Sequence, residues 1–159
     1  MSTRRRRLTV PPMDWVLVAN AARARCFERD ANNNALRELD GFVHPQSRMK
    51  GVDLSDDRGG MVHKGGAAST KFEPHTEVHH KERERFAREL AQYLESAALE
   101  HRYSGVVLLA SSPFLGELKA QLGDATKQLL RASEALDLTS CSGDELERRV
   151  TQAMQAAGR

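Results

Sequence analysis

The residues of this chain best suited to chemistry are cationic, and they gather where regular periodicity fails. Arg48, Lys50, Arg58, Lys64 and Lys71 fall in a stretch from His44 to about Thr76, punctuated by Pro45, Gly51, Gly59-Gly60, Gly65-Gly66 and Pro74. Arg23 and Arg25 lie just after Asn20, in an alanine-rich turn. Guanidinium groups take phosphate bidentately and ammonium groups take it as point charges, so the set suits a phosphate-bearing ligand. Ser111-Ser112-Pro113 adds a helix start, where Ser112 can cap a free amide and the positive end of the helix dipole favours an anion. The candidate binding residues are therefore Asn20, Arg23, Arg25, Arg48, Lys50, Asp57, Arg58, Gly59, Gly60, Lys64, Gly65, Gly66, Ser111 and Ser112.

Other chemistries find less support. Asp53, Asp56 and Asp57 offer hard oxygen ligands for magnesium, but a local ion pair with Arg58 is the simpler account. His75 and His79 are an i, i+4 pair beside His80, a spacing able to share a transition metal. No HExxH arrangement or third ligand accompanies them, and exposed histidines at a helix start are the plainer reading, so no metal and no cofactor is assigned. Neither serine sits in a Gly-x-Ser-x-Gly elbow, and neither GxxxxGK[ST] nor GxGxxG occurs. Cys26 and Cys141, the chain's 2 cysteines, lack CxxC spacing and read as reduced and structural. Whether the chain is an enzyme stays open at this point.

These groups need elements to hold them. The 159 residues suit one domain, 13–159, behind a basic tail at 1–12 that carries Arg4 to Arg7 and ends in Pro11-Pro12. A net charge of +2 leaves any anionic partner to a local patch, and 5% aromatics argue against bases stacked over a sheet. No apolar run approaches the roughly 20 residues needed to span a bilayer, so no membrane insertion and a cytoplasmic location are expected.

Trp15–Ala19 and Val106–Ala110 are uninterrupted apolar runs that suit strands buried on both faces. Residues 24–29 and Leu36–Val43 read as two further strands, joined through Asn32-Asn33-Asn34, whose side chains tolerate left-handed turns. Glu77–His101 is predicted as a long helix with Phe86, Leu90, Tyr93, Leu94 and Ala97 inward. A helix from Pro113 to near Gly123, a helical continuation over Asp124–Arg131, a brief strand at Ala135–Leu138 and a helix opened by Ser142-Gly-Asp-Glu145 complete the chain.

The order β-β-β-α-β-α-β-α, with right-handed crossovers, predicts a single-domain α/β fold. Its five-stranded mixed sheet takes the order 3-2-1-4-5, strand two alone antiparallel, with helices on both faces. Strands one and four then end at one edge with connections leaving in opposite directions, a switch-point crevice. Strand three runs parallel to strand one, so the long loop at about 44–76 leaves from that same edge.

WVLVANAARARCFE, DLSDDRGG, ERERFARELAQYLESA, YSGVVLLASSPFLGELK and LDLTS before a capped helix are similar, in that order, to the bacterial host-attachment protein family. The likeness spans about 13 to 156. It implies kinship with the middle domain of archaeal and eukaryotic release factors and Pelota, and a ribonuclease-H-like fold. In release factors a Gly-Gly-Gln loop before the long helix positions the water that hydrolyses peptidyl-tRNA. Here the Gly-Gly pairs are followed by Met61 and Ala67, and no glutamine lies between Gln46 and Gln92. The expected function is binding of RNA, tRNA, rRNA or the ribosome through the loop edge, without glutamine-dependent hydrolysis. Two alternatives are a protein-interaction or regulatory module affecting attachment, and a metal-assisted hydrolase of nucleic acid or peptidyl-tRNA.

Overall fold

A computed structural model describes residues 13–44 and 65–157, with side chains from 78 onward in the second stretch. Its elements are β1 (Asp14–Ala19), β2 (Arg23–Arg29), β3 (Leu36–Val43), α1 (Gly65–Leu99), β4 (Gly105–Ala110), α2 (Phe114–Gln121), α3 (Asp124–Leu129), β5 (Leu130–Ala135) and α4 (Gly143–Ala157). The sheet order is β3-β2-β1-β4-β5, as expected. β2 is antiparallel to both neighbours, while β1 pairs parallel with β4 and β4 with β5.

The two apolar runs are the centre of this sheet. Every residue of β4 is buried, as are Trp15 to Ala19 of β1. Successive side chains on a strand point to opposite faces, so each run fills two cores. Trp15, Leu17, Val106 and Leu108 meet Phe86, Leu90 and Leu94 of α1 and Phe114 and Leu118 of α2. Val16, Val18, Val107 and Leu109 meet Leu146, Val150 and Ala153 of α4. Burying each large aliphatic side chain contributes about 1.5–3 kcal/mol, which sets the two cores well above any single polar contact. Trp15 is the expected anchor, 1% exposed, with Tyr93 and Tyr103 against its ring and the Arg102 guanidinium 5.2 Å from its centroid.

The turns are made by local hydrogen bonding. Asn34, at φ 62, closes the β2–β3 hairpin, where the Asp30 and Asn33 side chains accept from the Asn32 and Ala35 amides. α1 ends in a Schellman motif with His101, rather than glycine, at φ 58; the His101 and Arg102 amides donate to the Ala98 and Ala97 carbonyls.

Three expectations are corrected. α1 begins at Gly65, not Glu77, so helical backbone occupies the last part of the aperiodic stretch, including Gly65 and Gly66. The helix spans the two glycines at its start and Pro74 in its interior, residues whose helix penalties place the boundary too late when read from the sequence. β5 is Leu130–Ala135, not Ala135–Leu138, and α3 ends at Leu129 rather than Arg131. LRASEA lacks an apolar run because β5 is an edge strand, whereas Leu136 and Leu138 pack into the α4-side core from the following loop. β5 is tied across β4 by Arg131, which donates to Asp14 Oδ1 at 3.0 Å and to the Ser104 carbonyl at 3.5 Å. The arm lies over Gly105, where a Cβ would stand 1.8 Å from the Arg131 Nε.

α3 borrows its cap from α1. Glu95 accepts from the Ala125 and Thr126 amides and from the Thr126 hydroxyl at 2.8–3.3 Å. The Thr126 amide above all, with the hydroxyl and the Ala125 amide, holds the Glu95 carboxyl below the usual range against desolvation. A Cβ on Gly123 would sit 2.4 Å from that carboxylate. Glu95→Ala should therefore destabilise by about 1 kcal/mol, as loss of an N-cap does, and Gly123→Ala should displace the same carboxylate. In urea unfolding the double variant should cost less than the two singles summed. Since the folded pKa is depressed, the contribution is present above the ordinary glutamate range and lost as pH falls through the folded value. Glu95→Gln should flatten that acid limb.

Burial pushes the Cys26 thiol up to about 12, only partly offset by a hydrogen bond with Tyr93. Cys26 should resist iodoacetamide in the native protein while the half-exposed Cys141 reacts, with Cys26 labelling only on denaturation; peptide mass spectrometry reads both.

Candidate functional site

Parallel pairing of β1 with β4 in the register Ala19↔Ala110 sets the Asn20 and Ser111 turns side by side. The Ser111 amide donates to the Ala19 carbonyl at 3.2 Å. The His44 amide donates to the Ala22 carbonyl at 2.9 Å, so the chain leaves β3 at the same rim. Three stretches expected to converge thus share one edge of the sheet, the third through its first residue.

Asn20 organises the rim. Its Oδ1 accepts from the Ala22 and Arg23 amides at 2.8 and 3.0 Å, and its Nδ2 donates to Asp137 Oδ2 and Thr139 Oγ1 at 3.0 and 3.1 Å. Asp137 Oδ1 in turn accepts from the Thr139 amide and hydroxyl. Burial pushes the Asp137 carboxyl up, but the bonds from Asn20 and Thr139 and the charge of Arg23 outweigh it and hold it below the usual range.

Arg25 is committed to the protein. It forms a fork with Glu38 at 3.2 and 3.1 Å, donates to the Thr139 and Cys141 carbonyls at 3.3 and 2.8 Å, and lies over the Phe27 ring. A half-exposed ion pair of this kind is worth only about 0–1 kcal/mol, but a phosphate would have to compete with all of these bonds. Arg23 sits at the exposed edge of the turn, where its guanidinium donates to Ser140 Oγ at 3.3 Å.

The helix start behaves differently from expectation. Pro113 is the N-cap, with no side-chain cap bond, so Ser112 does not cap α2. The helix begins one residue later than the spacing suggests, and backbone carbonyls take the amides: Leu115 donates to Ser111, and Gly116 and Glu117 donate to Pro113. Glu117 adds negative charge to the first turn, with its carboxylate 3.4 Å from Arg83 and 3.3 Å from His80. An anion gains little at this terminus.

Two features of the rim escape sequence reasoning. Asp137 falls within the predicted strand, although an aspartate two residues before a threonine is an Asx-turn signal. His44 marks only the start of a loop in the sequence. In the fold its Nε2 lies 2.9 Å from Glu82 Oε1, both side chains 7% exposed, and its ring stacks on Phe86, which stacks on Phe114. Arg85 approaches the other Glu82 oxygen at 3.5 Å. This buried pair joins the end of β3 to α1.

Arg48, Lys50, Asp57, Arg58, Gly59, Gly60 and Lys64 lie outside the described residues, as do Asp53, Asp56 and the 1–12 tail; of Lys71 and His75 only the backbone is described. Gly65 and Gly66 form the first residues of α1. Among the described residues no group of three His, Cys, Asp or Glu is placed to hold a metal, and no helix is long and apolar enough to cross a membrane.

Sheet order, a lone antiparallel strand and polar turns gathered at the carboxyl ends define a mixed-sheet α/β protein whose rim is built from loops, the usual place for recognition in such sheets. Residues 15–150 match the family model described as protein required for attachment to host cells, and the chain belongs to that family. No curated protein matches the chain.

With Asn20 as the hub, Asn20→Ala should destabilise by about 0.5–1.5 kcal/mol, the net worth of partly exposed hydrogen bonds. Asn20→Asp keeps the acceptor for the turn amides but sets a second carboxylate against Asp137. Its deficit should exceed that of Asn20→Ala at neutral pH and shrink on acidification, as read by thermal unfolding against pH.

Proposed function

We propose that this member of the host-attachment family binds structured RNA, tRNA or the ribosome through the rim, without glutamine-dependent hydrolysis. One observation carries the reading: the Asn20–Arg23 turn, the Ser111 turn and the departure of the chain at His44 share one sheet edge. The sequence that departs there brings Arg48, Lys50, Arg58 and Lys64. Such cations bind the phosphate backbone without reading sequence, and exposed Arg23 is the described side chain best suited to join them. The missing glutamine, together with the release-factor likeness, supports a binder rather than a peptidyl-tRNA hydrolase.

A second reading, a protein-interaction or regulatory module acting in attachment, draws support from Arg25 and Asp137. One cation is consumed by protein groups, and a carboxylate stands ionised at the rim.

Fluorescence anisotropy with labelled tRNA and ribosome co-sedimentation separate the two. Binding should weaken with salt, and Arg58→Ala with Lys64→Ala should lower both affinity and the slope of log affinity on log salt, by ~0.7–0.9 for each phosphate no longer neutralised. Arg23→Ala should act in the same direction. Affinity indifferent to salt and to these substitutions, with protein partners captured equally after nuclease treatment, would overturn the RNA reading in favour of the second.

A further inference from the structure

We draw no further inference here: the strongest candidate, the buried His44–Glu82 pair that joins the end of β3 to α1, carries nothing beyond that structural link, because nothing among the described residues shows a ligand or partner reaching it.

Discussion

The parallel pairing of β1 with β4 is the constraint from which the rest follows. Both strands are buried on both faces, so neither can carry polar side chains except at its ends. Parallel neighbours also require a long crossover, which α1 provides and which covers one face in the process. With the central strands apolar and their carboxyl ends level, the turns beyond Ala19 and Ala110 are the first places where hydrogen-bonding chemistry can appear. The rim is thus a by-product of how the core is buried.

What appears there is largely self-satisfied. Asn20 uses both ends of its carboxamide, Arg25 spreads its donors over a carboxylate and two carbonyls, and the first-turn amides of α2 close on backbone oxygens. Such a network fixes the shape of the turns, since its part-buried members, such as the Ala22 amide and Thr139, find their partners in this arrangement. It also narrows the recognition chemistry: rigid turns supply position, and a ligand must find its attraction in exposed groups such as Arg23 or in the cations of the connecting segment.

The sheet is legible in the sequence because its signals are strong and redundant. Two apolar runs, an asparagine-rich hairpin and a helical apolar face from Phe86 to Ala97 leave few alternative topologies once crossovers are right-handed. β5 is hard to place because an edge strand has one neighbour and needs no apolar run, while Leu136 and Leu138 carry the hydrophobic signal a few residues too late. The early start of α1 is hidden by glycines and a proline whose local penalties resemble a boundary. At the rim, residue type announces the Asn20 turn but not its partners, because Asp137 and Thr139 are distant in the chain, 117 and 119 positions away. No local pattern reports a pairing of that span. The commitment of Arg25 is invisible for the same reason, since a cation in the sequence looks alike whether it faces solvent or two carbonyls.

Gly105 shows how a sheet can depend on empty space. At the margin of the sheet a guanidinium stretches over the one place in β4 where no side chain stands, reaching a carboxylate on the strand beyond. Any larger residue would displace that arm and cost the outermost strand its polar tie across β4, leaving it the backbone ladder and the packing of Leu130 and Ala132. The position adds no side chain of its own to the packing, and a survey of hydrophobic pattern passes over it.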